Sequence, residues 1–192
     1  MRVQYIISIV LFVILIIMVQ VRAVMLRERG IRVIVFGQTD KSDLFLIPFV
    51  LAVIYTALAD TTGLPMWHIL TRPFWNSTIP GWGGLVLCIA AVTGFAMSLA
   101  AFGDSFRVGI DEKKSGELVT TGMFAYSRNP IYLCFITFFI GLFIIHRNIV
   151  ILVSVVVFAL AIHRQILREE SFMISHYGEA YKEYCKKVRR YL

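Results

Sequence analysis

Charged side chains are scarce in this sequence. Asp, Glu, Lys and Arg make up 16% of the 192 residues, whereas a soluble domain has about 25%. Hydrophobic residues make up 58%, and they are gathered in long apolar runs. This shortage of charge, together with the apolar runs, excludes an ordinary soluble domain and predicts one integral membrane domain.

Metal-binding and common catalytic motifs are also absent. The three cysteines, Cys88, Cys134 and Cys185, form no Cys-x-x-Cys pair and no Cys/His ligand spacing, so neither a disulfide framework nor a zinc site is supported. No Gly-x-Ser-x-Gly, His-Glu-x-x-His or Walker motif occurs, and the glycines spell no dinucleotide-binding motif. The formal charge of +7 lies in loops and in the tail, which membrane topology explains better than nucleic acid does. We therefore expect neither a metal nor a nucleic-acid partner.

Five apolar segments are candidates for transmembrane helices. They comprise residues 3–21, 44–59, 82–102, 130–145 and 149–162. The first would extend about 28 Å as a helix, close to the hydrocarbon thickness of a bilayer. A signal peptide is the alternative for it, but the run is too long and no small-residue cleavage site follows. The third is rich in Gly and Ala, which predicts close packing against a neighbouring helix.

The last two segments are separated only by His146, Arg147 and Asn148. Each would extend about 22 Å as a helix. We interpret them as a tight transmembrane hairpin with its tip at the far membrane surface. A re-entrant pair that does not fully cross is the alternative.

The basic residues alternate along this layout. Lys and Arg number one before the first segment, then five, one, four and one in successive loops, and seven in the tail. By the positive-inside rule the N-terminus and the hairpin tip face outward, while the third loop and the C-terminal tail face the cytoplasm. Eleven of the twelve acidic residues fall on the same inner side, with Asp60 as the exception.

Polar residues crowd into the stretch 117–132, between two apolar blocks. Arg128-Asn129-Pro130 predicts a helix start with Asn129 as its N-cap. The amides of Ile131 and Tyr132 would then point toward an anion. The plainer interpretation is an ordinary helix start, with Arg128 anchored to lipid phosphate.

Glu169 and Glu170 follow the last apolar segment. Paired carboxylates beside a membrane are costly unless they have partners, and a solvated, salt-bridged helix is the alternative to a site. In the tail, residues 171–192, aromatic residues recur at helical spacing among basic ones. This pattern predicts an amphipathic helix at an anionic surface or over the site.

Residues 118–132, Leu-Val-Thr-Thr-Gly-Met-Phe-Ala-Tyr-Ser-Arg-Asn-Pro-Ile-Tyr, resemble the signature of isoprenylcysteine carboxyl methyltransferases, which are related to the membrane phospholipid methyltransferases. Arg168-Glu169-Glu170, followed by Tyr-Gly-Glu-Ala-Tyr-Lys-Glu-Tyr at residues 177–184, is similar to the tail of that family. The resemblance covers residues 107–192, which we interpret as the cofactor-binding and catalytic region. Residues 1–106 would be the transmembrane scaffold of the same single domain. The implied fold is an all-α integral membrane protein with five transmembrane helices and a cytoplasmic amphipathic C-terminal helix.

The resemblance implies that S-adenosylmethionine is the cofactor. Its implied binding residues are Glu117, Leu118, Val119, Phe124, Asn129, Pro130, Ile131, Tyr132 and Glu169. Of these, Leu118, Val119 and Phe124 would enclose the adenine, and the amides of Ile131 and Tyr132 would hold the methionine carboxylate. Glu169 would receive either the amino group or a ribose hydroxyl.

Two departures from the family pattern concern the site. Asn129 stands where the family usually has His, so a hydrogen bond survives there but a titratable group does not. Gln165 lies near the position of a substrate-facing Arg in eukaryotic members. Arg164 or Arg168 would replace that Arg, and we assign Arg164 to orient the acceptor.

The expected activity is methyl transfer to a lipid-borne acceptor at the cytoplasmic membrane face, with a prenylated cysteine carboxylate as the first choice. Such a carboxylate is ionised at pH 7 and needs no general base. Phospholipid N-methylation is the alternative, and it would need a base such as Glu170 or His163. A sterol-reductase-like NADPH enzyme and a non-enzymatic membrane scaffold are further alternatives.

Overall fold

Every regular element in the computed structural model is helical over the residues that it describes, which are 2–28, 46–102 and 118–192. The helices are α1 (Arg2–Glu28), α2 (Ile47–Thr62), α3 (His68–Thr71), α4 (Ile79–Phe102), α5 (Pro130–His146), α6 (Ile149–Tyr177) and α7 (Glu179–Lys187), with a 3-10 helix at Gly122–Ala125. In these parts of the chain, α1, α4 and α6 are long and apolar enough to cross a membrane, and α2 and α5 are shorter apolar helices. An all-helical membrane fold is therefore confirmed, whereas the count of five crossings stays a prediction.

The contact between α4 and α5 depends on two facing glycines. A Cβ added to Gly84 would lie 2.7 Å from the carbonyl oxygen of Gly141, and one added to Gly141 would lie 2.6 Å from Cys88 Sγ. The Cys88 thiol also donates to the Phe138 carbonyl at 3.6 Å. The small residues of α4 thus let two backbones approach closely, as the sequence predicted.

Two apolar cores lie along this contact. The first surrounds Phe138 and takes residues from α1, α2, α4, α5 and α6. The second surrounds Phe95 and includes Leu26 and Cys134. Large apolar side chains such as Leu51, Val86 and Leu160 remain exposed on the outer faces, which suits helices surrounded by lipid.

The turn between α5 and α6 is two residues long. Arg147 adopts a left-handed conformation (φ 48°), and its amide donates to the Phe143 carbonyl. The side chain of Asn148 then caps α6 by accepting from the amide of Ile151 at 3.0 Å. The predicted interruption at residues 146–148 is therefore a tight hairpin turn.

A buried polar cluster lies at this turn, around His146. Its Nδ1 is 2.6 Å from Asp60 Oδ2, its Nε2 is 3.3 Å from Ser8 Oγ, and its ring stacks on Tyr5. Asp60 is the acidic residue that stood apart in the charge pattern. The cluster gives it a partner and ties α1 and α2 to the hairpin.

Helix α6 continues past the apolar segment 149–162 to Tyr177, so Glu169 and Glu170 lie inside a continuous helix. The prediction of a single amphipathic helix in the tail is wrong. Residues 171–192 are not one helix, because Gly178 (φ 58°) separates α6 from the nine-residue α7. In α7, Tyr181 and Tyr184 are buried against Leu118, so its aromatic side packs on the protein. A contact of α7 with the membrane surface stays a prediction.

Candidate functional site

Glu169 connects the start of α5 with α6. The Tyr132 hydroxyl donates to Glu169 Oε1 at 2.5 Å, and Gln165 Nε2 donates to the same oxygen at 2.9 Å. Gln165 precedes Glu169 by four residues, so the two share one face of α6. Among the residues that the structure describes, Glu169 Oε2 accepts no hydrogen bond. This carboxylate is thus oriented by two neighbours that both bind Oε1.

Glu170 is the centre of an ion cluster. Its Oε1 is 2.9 Å from Arg128 Nη2, and its Oε2 is 2.7 Å from Arg190 Nη2. The glutamate is 8% exposed, so each guanidinium is needed to offset the loss of hydration. The hydrogen bond to Glu170 raises the pKa of Arg190, which keeps this cation charged. Glu170 therefore joins α6 to two other segments of the chain.

The other end of the Arg128 guanidinium binds the end of α7. Its Nη1 donates to the carbonyls of Cys185 and Val188, each at 3.2 Å. A cation at the carbonyl end of a helix is favourable, because the last carbonyls have no partners within the helix. The suggestion that Arg128 anchors to lipid phosphate is wrong, since its guanidinium is used inside the protein.

Residues 188–192, which we name the tail strap, run along the segment that begins α5. The Arg128 amide donates to the Arg189 carbonyl at 3.0 Å. The Arg190 carbonyl accepts from Ser127 Oγ at 3.3 Å and from Asn129 Nδ2 at 3.2 Å. Asn129 occupies the N-cap position of α5, as predicted, but its side chain makes no capping hydrogen bond. The amide group of Asn129 binds the tail strap instead.

Two of the three residues predicted to surround adenine, Leu118 and Phe124, contact residues of α7. Leu118 packs against the cluster of Tyr181, Tyr184 and Val188. Phe124 is 5% exposed and packs on Phe102, while its carbonyl accepts from the Tyr184 hydroxyl at 2.6 Å. Burial raises the pKa of Tyr184 to about 12, so this donor keeps its proton. A role of these side chains in binding adenine stays a prediction.

The structure brings some of the other predicted residues together. Pro130, Ile131 and Tyr132 form the first turn of α5; Val119 is partly buried, and Glu117 lies outside the described residues. Arg164 is exposed. It precedes Glu169 by five residues, which places it about 140° away around α6. Its role toward an acceptor stays a prediction.

Sequence reasoning missed three residues of this region as site residues: Ser127, Gln165 and Arg190. Only Gln165 carried a readable signal, because it stands four residues before Glu169 on a helix. Ser127 and Arg190 meet across 63 positions of the chain, and no local pattern reports such a contact. No group of three or more His, Cys, Asp or Glu side chains in the described ranges is arranged to hold a metal ion.

Comparison with the profiles of known protein families shows to which family the chain belongs. The profile of the phospholipid methyltransferase family matches residues 79–180, which are 102 of the 192 residues. The chain belongs to the phospholipid methyltransferase family. The matched range runs from the start of α4 into α7, and it contains Tyr132, Glu169 and Glu170.

Two individual relatives agree with this membership. The chain is 34% identical over 92 residues to a protein-S-isoprenylcysteine O-methyltransferase from Schizosaccharomyces pombe, a match over 45% of this chain and 38% of the relative. It is 19% identical to the solved structure of the eukaryotic intramembrane Ras methyltransferase ICMT, with a TM-score of 0.58 over 87% of this chain and 58% of the other. The chain thus spans less than two thirds of the length of either relative. The resemblance to isoprenylcysteine carboxyl methyltransferases that the sequence predicted is confirmed, and the second match supports the fold.

Proposed function

We propose that this protein transfers a methyl group from S-adenosylmethionine to a lipid-borne acceptor at the cytoplasmic membrane face, with the carboxylate of a prenylated cysteine as the acceptor. The observation that carries the proposal is Glu169, which Tyr132 and Gln165 orient while its Oε2 remains available. This arrangement lies inside the region that matches the family. The similarity to an isoprenylcysteine O-methyltransferase supports the choice of acceptor.

The donors and acceptors around Glu169 fit the proposed cofactor. Glu169 offers a carboxylate oxygen for an ammonium group or a ribose hydroxyl. The amides of Ile131 and Tyr132 belong to the first turn of α5, and they would hold the carboxylate of the cofactor, because a helix N-terminus favours an anion. Leu118, Val119 and Phe124 would lie about the adenine, and Glu117 would also contact the cofactor. Pro130 would fix the helix start. When bound, S-adenosylmethionine would supply a methyl group activated by its sulfonium charge.

The protein's own part would be binding, alignment and exclusion of water. An acceptor carboxylate is already ionised at pH 7, so no side chain has to remove a proton. Arg164 would orient that carboxylate. Glu170 would act indirectly in this scheme, because its ion cluster holds the segment that begins α5 against α6. Holding the reactants in line accounts for a large part of the rate in such transfers.

Phospholipid N-methylation is the second candidate, and the description of the matched family favours it. An amine acceptor has to lose a proton, which requires a base. Both oxygens of Glu170 accept from guanidinium groups, and His163 Nδ1 lies 2.7 Å from the Tyr191 hydroxyl. Each candidate base would first have to break a hydrogen bond that it makes in this structure, so we place this activity second.

The test is calorimetry of the purified protein with S-adenosylhomocysteine, followed by methyl-transfer assays. We expect the wild type to bind and Glu169→Ala to lose measurable binding. Glu179→Ala removes an exposed carboxylate paired with Lys182 and should bind as the wild type does. Transfer of labelled methyl to a prenylcysteine analogue, and not to phosphatidylethanolamine, would support the first acceptor. If Glu169→Ala binds S-adenosylhomocysteine with the wild-type affinity, the assignment of Glu169 to the cofactor site is wrong.

A further inference from the structure

The tail strap touches three parts of the site. The Arg190 side chain binds Glu170 Oε2 at 3.0 and 2.7 Å, and Tyr191 reaches His163 on the same helix. His163 and Glu170 are seven residues apart, so they lie two turns apart on one side of α6. The strap therefore runs along α6 while its carbonyls accept from the segment that begins α5.

Asn129 joins the tail strap to the first turn of α5. Its carbonyl accepts the first hydrogen bond of the helix, from the Leu133 amide at 3.0 Å. Its side-chain Nδ2 donates to the Arg190 carbonyl. An asparagine at this position ordinarily caps the helix, and here it does not. A shift of the strap is therefore passed on to the turn that carries Ile131 and Tyr132.

We propose that Asn129 is a positioning residue for the cofactor: its side chain holds the first turn of α5 against the tail strap and does not touch the cofactor. The proposal rests on the proposed function, since it concerns the same site. Without this hydrogen bond, Tyr132 would no longer hold Glu169 in its bound orientation. Cofactor affinity would fall, whereas the rate of the saturated enzyme would not.

Asn129→Asp is the sharpest variant, because the two side chains have the same shape and only the amide donates. We expect KM for S-adenosylmethionine and Kd for S-adenosylhomocysteine to rise about tenfold, the usual effect of losing one such hydrogen bond. The value of kcat should stay within about twofold, as it does when uniform binding is lost. Asn129→His should bind within about threefold of the wild type, because an imidazole N–H can also donate.

A double-mutant cycle tests whether Asn129 acts through the strap. Arg190→Ala removes the ion pair with Glu170 but keeps the carbonyl that Asn129 binds, and Arg190→Lys is its charge-conserving control. We expect Arg190→Ala to weaken binding as Asn129→Asp does. The Kd of the double variant for S-adenosylhomocysteine should be no more than about twofold above that of either single variant, because the two changes release the same contact.

Cys185 provides a readout that needs no activity. It is partly buried near the strap, and its carbonyl accepts from Arg128, whereas the other two cysteines are buried. The rate at which Cys185 reacts with a maleimide should rise in Asn129→Asp and Arg190→Ala, and stay near the wild-type rate in Asn129→His and Arg190→Lys.

The outcomes separate this proposal from the proposed function. A wild type that binds no S-adenosylhomocysteine would overturn both. If the wild type binds and Asn129→Asp binds equally well, this proposal alone is overturned. Additive losses in the double variant would also overturn it, because they would mean that Asn129 acts without the strap.

Discussion

At the scale of single residues, the site depends on how neighbouring side chains orient two adjacent carboxylates. Glu169 is held by neutral donors that both bind one oxygen. Glu170 is held by two cations, one on each oxygen. In the proposed function the other oxygen of Glu169 accepts from the cofactor, whereas Glu170 links α6 to two other segments of the chain. The two adjacent glutamates thus have different roles in the fold.

The role of the Tyr132 hydroxyl can be tested by replacing Tyr132 with Phe, which differs from it only by that oxygen. We expect Tyr132→Phe to weaken binding of S-adenosylhomocysteine about tenfold, because Glu169 then keeps only Gln165 as a donor. Calorimetry measures this change. Tyr126→Phe is the matched control, since Tyr126 is 74% exposed. Equal affinities for the two variants would contradict the role of Tyr132.

Glu170 should matter for stability. Breaking a fully buried ion pair costs about 3–5 kcal/mol. The Arg190 side chain is 35% exposed, so we expect Glu170→Gln to lower the free energy of unfolding by about 2–3 kcal/mol. Denaturant unfolding in detergent measures this loss. The control Glu179→Gln, on an exposed pair, should cost less than about 0.5 kcal/mol. The same small loss in both variants would show that the ion cluster is unimportant.

At the scale of helices, α4 and α5 pack closely through glycines that leave no room for a side chain. Gly141→Ala would bring a Cβ within 2.6 Å of Cys88 Sγ and 2.7 Å of the Gly84 carbonyl. We expect a loss of about 1–3 kcal/mol, the usual cost of overpacking, in the same unfolding assay. Gly83→Ala is the control, because an added Cβ there meets nothing within 4 Å. A Gly141→Ala variant as stable as the control would mean that the two helices separate easily.

The ends of helices could be predicted from the sequence at positions where hydropathy changes abruptly. The starts of α5 and α6 and the end of α4 fall where the sequence placed them, at Pro130, Ile149 and Phe102. The end of α6 could not be found this way, because the helix continues through polar residues that pack against the tail. Gly178 did mark its end, as a glycine after a helix often does, and the prediction of one helix across 171–192 overlooked it.

The site also contains residues that the sequence indicated and contacts that only the folded chain shows. The sequence resemblance brought attention to Tyr132, Asn129 and Glu169, and the structure joins Tyr132 to Glu169 directly. The partners of Glu170 lie 42 and 20 positions away in the chain. Ion pairs over such separations leave no periodic trace, so only the folded chain shows that Arg128 and Arg190 meet one carboxylate.

At the scale of the whole molecule, the two polar regions are a membrane thickness apart. From Ile149 to Glu169, α6 rises about 30 Å, which equals the hydrocarbon thickness. The His146 cluster and Glu169 are therefore separated by about the thickness of a bilayer core. The orientation in which the hairpin tip faces outward stays a prediction.

The orientation can be tested with single cysteines in a Cys185→Ser background. Trp67 and Leu192 are 79% and 74% exposed. We expect an impermeant maleimide to label Trp67→Cys in intact cells and Leu192→Cys only after permeabilisation, because the tail is predicted to be cytoplasmic. The buried Cys88 and Cys134 serve as internal controls. The reverse labelling pattern would show that the tail faces outward and that the predicted topology is inverted.

The short turn at Arg147 and Asn148 has a mechanical consequence. Helices α5 and α6 are joined closely there, and Tyr132 and Glu169 bridge them again about 22 Å further along α5. Over that length, a change of one degree in the angle between the helices alters the gap at Tyr132 by about 0.4 Å. A hydrogen bond tolerates about that much. A bilayer that does not match the length of these helices would change their tilt, and with it the distance between Tyr132 and Glu169.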